Sequence, residues 1–251
     1  MKTAICISGH LRHYDKLKEN FLFFKKYIES FSKVDVFIST WNKQNTLVSW
    51  SHAHNISNVK TVNNFISQQQ VKDFYETEFV KVFDYDFYSS DFSPLNYKDW
   101  TDVKYSWDSR GIGGSVINSS KMFFLIHEAN NLKKMQEFIT NSKYDLVIRT
   151  RPDYEYKNLS PLNKLNLKED TIFSAKPYDC SPIDDQFAFG SSDSMNKYSA
   201  CLLKQAAIFN SNIWGDPESV LINSILAFHK ISIQKIDRIG CLGSDITDFK
   251  R

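Results

Sequence analysis

The sequence contains no apolar run approaching the ~20 residues that a bilayer-crossing helix requires, so no transmembrane segment is expected. The apolar stretch of Met1 to Gly9 is too short for a secretory leader and runs at once into the polar segment His10 to Asn20. It reads instead as a buried first strand, and a cytoplasmic location is expected. Cysteine is scarce: Cys6, Cys180, Cys201 and Cys241 are far apart and form no CxxC pair. That pattern excludes a disulfide scaffold and the usual cysteine zinc motifs, and favours reduced structural thiols. Without secretion, Asn55-Ile56-Ser57, Asn118-Ser119-Ser120 and Asn158-Leu159-Ser160 are chance matches to the glycosylation sequon. There is no excess of one charge either: 31 Lys and Arg stand against 29 Asp and Glu, a formal net charge of +2. A protein that wraps nucleic acid concentrates basic residues, so no nucleic-acid partner is expected. Internal repeats, low-complexity linkers and a Walker-type glycine-rich lysine loop are absent as well.

What the sequence does contain is globular in character, with 42% hydrophobic and 24% charged residues over 251 positions, enough for one substantial core. Short β-branched runs alternate with helical patterns, which argues for a largely parallel α/β sheet flanked by helices. Strands are expected at Thr3–Ser8, Val34–Thr40, Phe79–Tyr85, Tyr144–Thr150, Thr171–Ser174, Gln186–Phe189 and Ile231–Ile236, with a short one at Val59–Val62. Helices are expected after Gly9, where Leu17, Phe21, Phe24, Ile28 and Phe31 recur at helical spacing, and at Phe65–Tyr75, Met122–Phe138, Ser194–Phe209 and Pro217–Phe228. Asp86 to Gly114 reads as a long irregular stretch.

In open α/β sheets ligands bind beyond the carboxyl ends of the strands, where loops converge. The apolar strands here turn polar at that end. The first runs into Ser8, Gly9 and Arg12, the second ends in Ser39 and Thr40, and a third runs out through Arg149, Arg151, Asp153 and Glu155. On strand periodicity the last four share a face, with Pro152 able to disturb the alternation. Two guanidiniums can clamp a diphosphate, and two carboxylates can hold a divalent metal, Mn or Mg, bridging its oxygens. The structural alternative is a pair of surface Arg–carboxylate contacts. Ser8 and Gly9 suit a turn that offers backbone N–H groups to a nucleotide, with Arg12, Ser39 and Thr40 beside it. Asn118 and Lys121, at the start of a helix, are further nucleotide contacts. Asp184, Asp185 and Gln186 open a strand; Asp185 is the preferred general base, Asp184 and Gln186 acceptor contacts, and two solvated turn acids the alternative. Glu218 is a second candidate base, although Asp216-Pro217-Glu218 is also a sound helix start. His10, His13, His52, His54, His127 and His229 lack a third ligand or a partner arrangement, and are left to packing and surface roles.

Together, AICISGHLR, DVFISTW, YDLVIRTRPDYEY and DDQFAFGSSDSMNKYS resemble GT-A-like glycosyltransferases of bacterial and viral surface-glycan gene clusters. The resemblance spans Ala4 to about His229. RTRPD, followed by DQFAFG with Met195 and Tyr198 downstream, is its most specific part. It implies one compact GT-A-like, Rossmann-like domain, with a nucleotide half (residues 1–143) and a metal and acceptor half (residues 144–251). It also implies transfer of a hexose or deoxyhexose from a nucleoside-diphosphate sugar donor to a glycan acceptor. Asp153 and Glu155 would stand where the family carries its metal-binding Asp-x-Asp. The competing readings are another phosphate- or nucleotide-dependent transferase, and a non-catalytic carbohydrate-binding module suited by the 12 Tyr and 5 Trp.

Overall fold

A computed structural model describes residues 1–11, 14–44, 64–86, 104–106, 113–164, 166–175, 183–204 and 217–242. In chain order the strands are β1 (Lys2–Ser8), β2 (Lys33–Trp41), β3 (Lys43–Gln44), β4 (Asn64–Phe65), β5 (Val80–Phe83), β6 (Lys104–Ser106) and β7 (Gly113–Ser115). They continue with β8 (Leu146–Thr150), β9 (Tyr154–Tyr156), β10 (Thr171–Ala175), β11 (Ala188–Gly190), β12 (Ser232–Ile236) and β13 (Gly240–Leu242). The helices are α1 (Lys18–Glu29), α2 (Gln68–Tyr75), α3 (Val116–Thr140), α4 (Ser192–Ser199) and α5 (Pro217–Asn223), the last running into a π turn at Ser224–Phe228.

One seven-stranded sheet, in the order β12-β10-β11-β8-β1-β2-β5, joins strands from both halves of the chain. β8, β1, β2 and β5 are mutually parallel, as are β10 and β12. β11 runs against both its neighbours, β10 and β8. All other strands of the sheet therefore share one carboxyl edge, and the segment that enters β11 lies at that same edge. This is the mostly parallel α/β sheet the sequence pattern called for.

Alternation along the strands divides the core. Ala4, Cys6, Phe37, Val147 and Ala188 pack with α3 and α4 residues such as Phe123, Leu125 and Met195. Ile5, Ile7, Ile38, Leu146, Ile148 and Phe189 pack with α1 and α2 through Phe21, Phe24, Ile28, Val71 and Tyr75. Both faces of the parallel strands are covered, which is why β1 and β8 read as unbroken apolar runs.

Several boundaries depart from the sequence pattern. The helix expected from Phe65 starts only at Gln68, because Ser67 and Gln70 form a reciprocal capping box and Phe65 pairs in β4. α4 starts earlier than expected, since Ser191 accepts from the Ser194 amide; it is interrupted by a turn at Ala200, helix resumes over residues 201–204, and residues 205–209 lie outside the described residues. The stretch read as irregular contains an antiparallel pair, β6 with β7. The expected strand Val59–Val62 lies outside the described residues.

Candidate active site

The carboxyl edge gathers most of the expected residues. On β1 and β2, Ser8 and Ser39 are register partners, both buried, on the face that carries α3. Gly9 leaves β1 at φ +141°, a backbone state that favours glycine, and a Cβ there would stand 3.2 Å from Pro152 Cδ. The Gly9 amide donates to Ser39 O (3.4 Å), and its carbonyl accepts from the Thr40 hydroxyl (2.8 Å). Thr40 thus braces the turn. The Ser39 hydroxyl has no protein hydrogen-bond partner among the described residues.

Arg149 is one residue from the end of β8, between Cys6 of β1 and Ala188 of β11. Strand alternation with Val147 turns it toward the α3 face. It is only 2% exposed. Its Nε donates a long bond to Ser8 Oγ (3.4 Å), and both terminal nitrogens lack a protein hydrogen-bond partner among the described residues. A buried guanidinium that is barely hydrogen-bonded costs several kcal/mol, offset here in part by the nearby Asp184 carboxyl.

Arg151 and Asp153 behave otherwise. β8 ends at Thr150, and the chain turns through Pro152 before β9, so the four charged residues do not lie along one continuous strand. Arg151 Nε and Nη2 donate to the two oxygens of Asp153, both at 2.8 Å. Burial works against the Arg151 charge, but Asp153, with Asp185 and Asp184 behind it, outweighs burial and raises its pKa. Arg151 also lines a crevice with Ile7, Leu17, Phe21, Phe74 and Tyr75, on the α1 and α2 face. The two arginines therefore do not form one clamp. Glu155 lies within β9, between the buried Tyr154 and Tyr156, with Lys157 Nζ 3.8 Å from its carboxylate. Both Asp153 oxygens accept from Arg151, and Glu155 belongs to the β9–β13 ribbon. Among the described residues no group of three or more His, Cys, Asp or Glu side chains could hold a metal ion. The residues present thus do not fit the expected divalent site.

Because β11 is antiparallel, Asp184, Asp185 and Gln186 enter the sheet at the edge where β8 leaves it. Asp184 Oδ1 accepts from the Gln186 amide (2.8 Å), and the Asp184 amide donates to Ser174 Oγ (3.1 Å). Its second oxygen has no partner among the described residues. Burial first, and the Asp185 charge second, push the Asp184 carboxyl up to about 7, against Arg238 and Arg149.

The start of α3 overhangs this edge. Phe124 stacks on Trp41 at the end of β2 (5.7 Å, 18°), and the eight residues from Val116 add about 12 Å of helix beyond it. Lys121 stands 3.6 Å above the Tyr85 ring. Burial pushes its ammonium down to about 8, with Asp86 opposing and Lys43 assisting. Asn118 and Glu218 are placed by backbone alone, in the first turns of α3 and α5. Their side chains, and all of Arg12, lie outside the described residues, as do His13, His52, His54 and Cys180. His127 Nδ1 is 3.2 Å from Ser199 O, a packing contact between α3 and α4. Cys6, Cys201 and Cys241 are free thiols.

Two residues join the site that the pattern did not assign to it. Tyr198 of α4 is fully buried, its hydroxyl without a partner among the described residues, in the field of Arg149, Asp185 and Asp184. Its spacing from Met195 downstream of DQFAFG, already part of the resemblance, was the available signal. Arg238, between β12 and β13, acts on Asp184 and Tyr154. No local pattern marks it, because only tertiary structure brings that segment to the edge.

No protein-family model matches the chain, and no curated protein matches its sequence. At low identity it is similar to solved structures of the glycosyltransferase GlyE from Streptococcus pneumoniae TIGR4. One has 9% identity and a TM-score of 0.40, aligning 94% of this chain with 46% of that one. The apo form has 10% identity and a TM-score of 0.38, with 93% and 44% covered. A third, a glycosyltransferase involved in the glycosylation of the major capsid of PBCV-1, has 11% identity and a TM-score of 0.41, with 94% and 83% covered. The chain spans about half the length of the pneumococcal protein (46%). At these scores the alignments assign no activity. Among the described residues, no helix is long and apolar enough to cross a membrane.

Proposed function

We propose that the chain is a GT-A-like glycosyltransferase that moves a sugar from a nucleoside-diphosphate sugar to a glycan acceptor. The observation that carries this reading is Arg149, a buried cation whose two terminal nitrogens have no hydrogen-bond partner among the described residues, at the carboxyl edge of a mostly parallel sheet. Departure of a nucleoside diphosphate builds negative charge on its oxygens, and a preorganised buried guanidinium stabilises that charge with little reorganisation. Ser8 and Ser39 offer hydroxyls beside it, and the overhanging start of α3 adds its N-terminal amides. The Asp184–Asp185 pair stands across the same edge and is the place for the acceptor hydroxyl, whose proton passes to the pair as the glycosidic bond forms. A group held near 7 suits that exchange at neutral pH. The sequence resemblance through RTRPD and DQFAFG supports the same assignment. Hexosyl or deoxyhexosyl transfer in surface-glycan synthesis is the specific role that the resemblance favours.

The test is incubation with UDP-, GDP-, CDP- and dTDP-sugars, following release of the free nucleotide. Release from one donor, lost in Arg149→Met while the fold persists by circular dichroism, is expected. Binding of free glycans with no response to any nucleotide would instead identify a carbohydrate-binding module.

A further inference from the structure

We propose that this chain neutralises the diphosphate of its donor with Arg149 and without a divalent cation, and that Asp153 serves as the anchor of Arg151. The inference rests on the transferase reading. A metal that bridges diphosphate oxygens needs carboxylate oxygens turned toward the ligand, at about 2.0–2.6 Å from the ion. Both Asp153 oxygens instead accept parallel bonds from one guanidinium, at 2.8 Å each, the bidentate arrangement that fixes a carboxylate in place. The side chains of Arg151 and Asp153 are 19% and 7% exposed, so withdrawing Asp153 to serve a metal would break two charge-assisted bonds in a largely dehydrated place and leave the guanidinium only the fields of Asp185 and Asp184. Glu155 is a separate group, on β9, with its Oε2 3.8 Å from Lys157 Nζ. Its neighbours Tyr154 and Tyr156 are buried in the α1 and α2 core, and its backbone pairs with Cys241 of β13.

A fixed positive charge is already present at this edge. Arg149 is as buried as a core residue, yet among the described residues it spends only its Nε on the protein, leaving both terminal nitrogens for the ligand. Tyr198 adds a buried, uncommitted hydroxyl within the same field. A planar fork of N–H donors recognises two phosphate oxygens by geometry as well as by charge, and a fixed cation cannot be removed by chelation.

The experiment is calorimetric titration of the whole chain with UDP, GDP, CDP, dTDP and inorganic pyrophosphate, in EDTA and again with Mn²⁺. The expected result is the same affinity in both conditions for the ligand that binds. A roughly tenfold to hundredfold loss is expected in Arg149→Met, partly restored in Arg149→Lys. Asp153→Asn is expected to melt at lower temperature and still to bind that ligand equally with Mn²⁺ and with EDTA. Binding that requires Mn²⁺ and disappears in Asp153→Asn would overturn the inference while leaving the transferase reading intact. Absence of binding by every nucleotide and by pyrophosphate, in both conditions, would overturn the transferase reading and this inference with it.

Discussion

Asp184 is held among charges that decide when it ionises. Its folded pKa of about 7 lies above the ordinary carboxylate value, because burial and Asp185 disfavour the anion. The folded chain therefore holds a proton that the unfolded chain has released, and stability falls as pH rises from the carboxylate range through about 7. Asp184→Asn removes that dependence. Its melting temperature should gain on the parent between roughly pH 5 and 8, a gain checked by scanning calorimetry; a constant difference across that range would remove the assignment. The same charge bears on ligand binding. Once ionised, Asp184 competes with a diphosphate for Arg149, so anion affinity should weaken through neutral pH in the parent and less in Asp184→Asn. Gly9 tests the turn itself. Alanine there meets both a left-handed backbone and Pro152, and a loss of about 1–3 kcal/mol is expected in urea unfolding, because the first strand can no longer exit against the RTRPD turn.

Among the elements, α3 does more than cover the sheet. Its Lys133, fully buried, donates to Glu137 (3.0 Å), to Asn196 of α4 (3.0 Å) and to Ser192 at the start of α4. Glu137 accepts from Ser192 (2.6 Å) and from the Tyr144 amide at the entrance to β8 (3.0 Å). Burial raises the Glu137 carboxyl, but these bonds and the Lys133 charge outweigh it and hold the pKa below the ordinary value. Its stabilising contribution is therefore present above the ordinary carboxylate range and is lost as pH falls through its depressed pKa. The network ties α3 to α4, the helix that delivers Tyr198, and to β8, the strand that delivers Arg149. Lys133→Met strands Glu137 without its cation, and a loss of about 3–5 kcal/mol is expected by chemical denaturation. A neutral result would show that the network is dispensable to the fold. β13 braces the far side: a Cβ on Gly240 would run into the Glu155 carbonyl, so Gly240→Ala should detach β13 from β9 and displace Arg238.

At the scale of the whole molecule, the sheet converts distant sequence into one edge. Arg149, Ser8 and Ser39 arrive on parallel strands, whereas Asp184 and Asp185 arrive because β11 runs the other way. Thermal stabilisation by one nucleoside diphosphate is the molecular-scale expectation, about 2.7 kcal/mol at a hundredfold excess over its dissociation constant. No stabilisation with any of them would count against a nucleotide-using enzyme. The apolar runs of β1, β2 and β8 were legible in the sequence, because strands covered on both faces need no polar alternation. Arg149 and the Asp184–Asp185 pair were also legible, as polar residues where apolar strands end or begin. The opposite commitments of Arg149 and Arg151 were not, since periodicity places them on one face and only the turn at Pro152 separates them. The nature of Asp153 was hidden for the same reason: a carboxylate two residues from an arginine reads equally as a metal ligand and as its ion-pair partner.

By itself the sequence determined the class of fold and the polar carboxyl edge of the sheet, because strand and helix periodicities and the ends of apolar runs are local properties. Tertiary structure alone decided which charges are spent on one another and which are left without a partner among the described residues. Burial, antiparallel pairing of β11 and the approach of Tyr198 and Arg238 depend on contacts between residues far apart in the chain, and those contacts set the electrostatics of the site.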